Sequence, residues 1–189
     1  MTAFLGIIGG ILIAGSFLPY IKDIIKGKTK PHIYTWFIWS VTHTIAAVAI
    51  FEGDGGLFAT ISVASGGFIS FIVLLLSFKH GTKNITLFDS ITFAAAIVAI
   101  GIWWQLDHPD WAIIIITGVD ILGFLPTFRK TWLEPRSESL LAWTMYASGN
   151  GAAFLALTSH TISTSLYIIA MIIASAALIG TILYRKKQF

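Results

Sequence analysis

The sequence predicts an all-α membrane protein: seven transmembrane helices in a 3+1+3 arrangement of two parallel triple-helix bundles, N-terminus outside, C-terminus cytoplasmic. Three observations carry that prediction. The 189-residue chain is 56% hydrophobic and only 11% charged, too apolar for a soluble domain of this length. Its Lys and Arg residues fall into four short clusters in alternate gaps between long apolar runs, as short cytoplasmic loops require. The chain also resembles itself at an offset of 107 residues.

A helix needs roughly 20 apolar residues to cross a hydrocarbon core of about 30 Å. The first run, 4–21, lacks a basic start and meets Lys22 where a cleavable signal would carry small residues, so it is read as a mature helix. It leads into the basic cluster Lys22, Lys26, Lys28 and Lys30. The second run, 33–51, carries Trp36, Trp39 and His43 and leaves on the other side at Glu52 and Asp54. The third, 55–78, returns to Lys79 and Lys83, and the fourth, 85–106, reaches Asp107 and Asp110. Trp103, Trp104 and Trp111 flank that gap and suit a membrane interface. The fifth, 111–128, ends at Arg129, Lys130 and Arg136; the sixth, 140–157, at Ser159, His160 and Thr161; the seventh, 161–184, at Arg185, Lys186 and Lys187. Residues 1–80 form the first bundle, 81–108 a linker helix, and 109–189 the second bundle.

The net charge of +3 points to no nucleic acid partner, because topology accounts for every basic residue. With no Cys, disulfides and thiolate metal sites are excluded. Asn84 to Thr86 fits a glycosylation sequon, but its expected cytoplasmic location argues against modification. No metal or cofactor is expected.

The repeat pairs Leu18-Pro19 with Leu125-Pro126, Lys22 with Arg129, Trp36 with Trp143 and His43 with Asn150. One intervening helix restores orientation, so the halves run parallel, one of the recognised plans for transporters. The Leu-Pro near the end of the first helix, the basic loop and the Trp early in the second resemble the PQ-loop superfamily. The stretches LPYIKDIIKGKTKPHIYTWFIWS and LPTFRKTWLEPRSESLLAW look like its two repeats. That superfamily includes the SWEET sugar transporters, their half-size bacterial relatives, cystinosin-type amino acid exporters and the KDEL receptors. The resemblance implies alternating-access transport of a small solute across a cell inner membrane, with sugars the largest class. Departures are plain: the family's Pro-Gln is Pro19-Tyr20 here in one repeat and Pro126-Thr127 in the other, and the sugar transporters' Asn on the third helix of each repeat has no counterpart.

Several residues could carry the chemistry. Pro19 and Pro126 each remove a backbone donor inside a membrane helix, which suits a matched pair of hinges. Asp120 falls near the middle of the fifth run, where a charge costs roughly 2.5–3.5 kcal/mol on insertion scales. It must therefore face a cavity or the bundle interior, where it could couple a proton to transport. Trp36, Trp39 and His43 share a helix face, and Trp143, Tyr146 and Asn150 repeat it, giving aromatic surfaces with polar groups as a central solute site requires. Asp89, one turn into the linker helix, is expected to be hydrated or to cap that helix.

Enzyme chemistry has little to work with. A hydrolytic metal needs three protein ligands, and of five His only His43 lies deep; an aspartyl dyad needs a second deep carboxylate beside Asp120. No Lys lies mid-membrane to bind retinal. The expected function is a small-solute transporter for a sugar or other small polar solute, proton-coupled through Asp120. The alternatives are a proton-coupled amino acid or amine exporter and a cargo receptor on the same fold. The latter is disfavoured because no Lys or Arg lies deep enough to capture a carboxylate. The lipid bilayer is the obligate partner, and a homo-oligomer is compatible with the chain.

Overall fold

A computed structural model describes residues 1–83, 85–103, 105 and 109–188. Asn84, Trp104 and Asp107, named above, lie outside the described residues. Within them the chain forms seven α-helices and one 3-10 turn, Pro135–Ser137, and no strand. The helices are α1 Thr2–Ile25, α2 Ile33–Glu52, α3 Leu57–His80, α4 Leu87–Trp103, α5 Pro109–Leu133, α6 Leu140–Leu155 and α7 Ile162–Lys186. Four of them, α1, α2, α3 and α7, are long and apolar enough to cross a membrane. At 16 residues α6 spans only about 24 Å.

Several helices overrun their apolar stretches at the basic end. Lys22 lies inside α1, Lys79 inside α3, Arg129 and Lys130 inside α5, and Arg185 inside α7. Hydropathy stops at the first charge, whereas the helix does not, since Lys and Arg are good helix formers and are favoured at helix C-termini.

The outside is strongly apolar and most of the deep polar side chains are buried among an apolar core, unlike a soluble domain. Phe4, Ile7, Ile11 and Leu18 face outward along α1, while Thr42, His43, Ser62, Ser70, Asp120, Asn150 and Ser175 are buried. A bilayer tolerates that exposed surface where water would not. The α3 helix packs against both α1 and α2, and α7 against both α5 and α6. Further contacts join α1 to α6, α2 to α5, α3 to α6 and α2 to α7. The α4 helix leans on α5 and α2, with Tyr34 stacked on Phe93 at 4.4 Å.

The end that carries Glu52 and Ser159 is tightly closed. A Cβ on Gly149 would lie 2.7 Å from Ile13 Cγ1 and 2.9 Å from the Ile13 nitrogen, so only glycine lets α6 lie this close to α1. Above that contact the Thr158 amide donates to the Gly55 carbonyl at 3.2 Å, and its hydroxyl to the Asp54 carbonyl at 2.8 Å. Gly151, two residues further along α6, would meet nothing within 4 Å of an added Cβ.

Candidate functional site

Two cavities meet at an aromatic layer. The inner one, about 30 Å³, is lined by Ser16, Phe17, Tyr20, Trp36, Trp39, His43, Ser70, Phe124, Ala142, Trp143 and Tyr146. The other, about 370 Å³, lies among the basic helix ends and shares Tyr20, Trp36, Trp39 and Trp143 with the first. Trp39 is the hub, with ring centroids 5.0 Å from Trp36, 5.0 Å from Phe124 and 6.1 Å from Trp143. These aromatic residues are the floor of the larger cavity and the roof of the smaller.

The spacing along α2 aims Trp36, Trp39 and His43 at this centre, and α6 does the same for Trp143 and Tyr146. His43 Nδ1 is 2.8 Å from the Trp39 carbonyl oxygen, and Nε2 is 2.9 Å from the Tyr146 hydroxyl. A carbonyl can only accept, so Nδ1 carries the proton and the neutral ring accepts from Tyr146 at Nε2. Gly66 makes room for this ring: a Cβ there would sit 2.8 Å from His43 Cδ2.

Asn150 does not join the solute site assigned to it from the repeat. Its side-chain nitrogen donates to the Tyr146 carbonyl in its own helix at 2.9 Å, and it lines neither cavity. His43 and Asn150 are equivalent in register, but only His43 lines a cavity; Asn150 reaches the site through Tyr146 alone, whose hydroxyl its amide also engages.

Asp120 is fully buried and lines neither cavity. One carboxyl oxygen accepts from the Thr42 hydroxyl, and its backbone carbonyl accepts from the Trp39 indole nitrogen at 3.4 Å. The second carboxyl oxygen and the Tyr167 hydroxyl have no partner at hydrogen-bonding geometry, although the two groups interact. The Tyr167 ring is also 5.7 Å from His43, edge to face. Tyr167 thus stands between the buried acid and the polar group of the cavity.

Pro19 and Pro126 both lie inside continuous helices, α1 and α5. Each leaves the carbonyl four residues earlier, at Gly15 and Leu122, without its helical donor. Pro126 lines the larger cavity; Pro19 does not.

At the basic end two buried carboxylates organise the cavity wall. Glu138 Oε1 pairs with Lys130 Nζ at 2.7 Å, and its Oε2 accepts from the Trp143 indole at 2.9 Å. Asp89 is 1% exposed, out of reach of bulk solvent. It does cap α4: its carboxylate accepts from the Thr86 amide at 2.8 Å while its own amide donates to the Thr86 hydroxyl at 3.3 Å. The same carboxylate has Arg129 and His32 within 3.4 Å. Burial holds the His32 imidazole below its ordinary value against the pull of Asp89.

Sequence reasoning missed Phe17, Phe124 and Glu138. A signal existed for the first two, since Phe17 and Phe124 are related by the same 107-residue offset as Trp36 and Trp143. Glu138 gave none: it is one acid in a basic loop until the fold sets it against Trp143. No known protein family, no curated protein and no solved structure matches this chain.

Proposed function

We propose that this chain is an alternating-access carrier of a small solute, built from two like-oriented three-helix units, residues 1–80 and 109–189, with α4 as linker. The observation that carries this reading is the asymmetry of the interior: one end is closed by the Gly149 contact, while a polar cavity opens toward the other and stops at an aromatic floor. A carrier caught facing one side has this form. The helix contacts support the two-unit reading. Exchanging α1 with α5, α2 with α6 and α3 with α7 maps the packing of these six helices onto itself. It also agrees with the resemblance to the PQ-loop superfamily and with seven spans whose basic ends face the cytoplasm.

In this reading His43 and Tyr146 meet the solute beneath the aromatic floor, and Pro19 and Pro126 let α1 and α5 bend as one end closes. Asp120 couples a proton through Tyr167, which contacts both the acid and His43. The test is uptake into liposomes holding the purified protein, screened with labelled sugars, amino acids, carboxylates and nucleosides under imposed pH gradients. Gradient-driven uptake of one class is the expected result, and Asp120→Asn should abolish the gradient dependence while leaving solute exchange. Dependence that survives Asp120→Asn removes the coupling role, and no uptake of any class removes the carrier reading.

A further inference from the structure

The polar groups left without partners in the larger cavity are hydrogen-bond donors. Thr35 lines this cavity, is 3% exposed, and its buried hydroxyl has no partner. His32, on the same wall, is already engaged, its Nε2 3.4 Å from the Asp89 carboxylate. Lys28 and Lys30 stand at the mouth with no acidic partner among the described residues. The other charges there are already engaged: Arg129 with Asp89, and Lys130 and Trp143 with Glu138. A buried hydroxyl without a partner is costly, which identifies the spot where an acceptor on a ligand would be welcome.

We propose that this cavity binds a small carboxylate carried on a flat apolar body. The proposal deepens the carrier reading by naming the solute class, and rests on it for the word solute alone; the binding site stands apart from it. The carboxylate would accept from Thr35 with the two lysines above, and the body would lie on the faces and edges of Trp36, Trp39 and Trp143. A monoanion suits the site better than phosphate. The one guanidinium is already held by Asp89, so no free fork exists for bidentate phosphate. Glu134 and Glu138 also border the cavity and would repel a dianion. No cation lies deep in a span, yet the fold carries loop and helix-end cations over the cavity, which removes the objection to carboxylate capture drawn from the sequence.

The experiment is calorimetric titration of the purified protein in neutral detergent with benzoate, benzyl alcohol, benzylamine and inorganic phosphate at low salt. Benzoate should bind at least about tenfold more tightly than benzyl alcohol, with benzylamine and phosphate weaker still. Thr35→Val should weaken benzoate about fivefold, the loss of one hydrogen bond, and leave benzyl alcohol unchanged. The Lys28→Ala, Lys30→Ala double variant should weaken benzoate by a similar factor at low salt and little at high salt. Both variants remove solvent-side or cavity-side groups, and unchanged thermal midpoints would show that they fold. Benzyl alcohol or phosphate matching benzoate, or benzoate indifferent to both variants, overturns the proposal. Benzoate binding without any liposome uptake would leave this site intact and sink the carrier reading; uptake of a neutral solute without benzoate binding would do the reverse.

Discussion

His32 sits at the N-terminal boundary of α2, between the Asp89 carboxylate of α4 and the Arg129 and Lys130 charges of α5. Burial is the largest influence on it and lowers its proton affinity below the ordinary 6.5; Asp89 opposes this, while Arg129 and Lys130 reinforce it. The folded chain therefore resists a proton that the unfolded chain accepts. This group contributes nothing pH-dependent above 6.5, and stability should fall as pH drops below it, until the folded imidazole titrates as well. Thermal melts in detergent between neutral and mildly acidic pH should show that slope, and His32→Gln should flatten part of it. An identical slope in the variant would refute the assignment. Glu138 is a second residue whose surroundings set a clear expectation. Removing its carboxylate strands a buried indole N–H and the Lys130 ammonium, so Glu138→Ala should cost about 1–3 kcal/mol of unfolding free energy. Chemical denaturation would measure the loss, and red-shifted tryptophan emission would report that Trp143 has been released.

At the scale of elements, the contact of α1 with α6 is the one most constrained by residue size. Gly149→Ala would force its new methyl against Ile13 and the Gly9 carbonyl, at 2.7 and 3.0 Å, so the helices must separate. The expected penalty is about 1–3 kcal/mol, as for an overpacked core. Gly151→Ala, one residue pair away on the same helix, meets nothing within 4 Å and should be neutral or slightly stabilising through helix propensity. Paired thermal midpoints decide this; equal penalties would mean the close approach is not what the glycine serves. Those two glycines also mark how far sequence reasoning reaches. Helix positions are legible from apolar runs, and the inward faces of α2 and α6 from three-and-four spacing, because both follow from local geometry. Which helix lies opposite is not local. Nothing in the spacing distinguishes Gly149 from Gly151, joins Thr42 to Asp120, or takes Tyr167 past the acid to His43. Asn150 lines no cavity where His43 does for the same reason, since register predicts position along a helix and not what lies opposite it.

Over the whole molecule, the closed end and the open end are two faces of one equilibrium if the carrier reading holds. Alternating access demands that the barrier at Gly149 loosen as the cavity around Thr35 shuts, because solute and proton must never see both sides together. The chain has no cysteine, so single thiols can report each end without background. Thr35→Cys places a thiol in the open cavity; Ser62→Cys places one where α3 meets the closed end of α1, a serine that now donates to the Gly6 carbonyl at 2.5 Å. In reconstituted protein a water-soluble maleimide should modify Thr35→Cys, on the cavity wall, faster than Ser62→Cys. Adding Gly149→Ala should shift the population toward the state open at the Gly149 end, raising the rate at Ser62→Cys and lowering it at Thr35→Cys. A shift of about 1.4 kcal/mol would change the ratio of the two rates about tenfold. Opposite movement of the two rates is the signature of a rocking two-state body. If both rates rise together, the variant has only loosened the packing, and the two ends are not coupled.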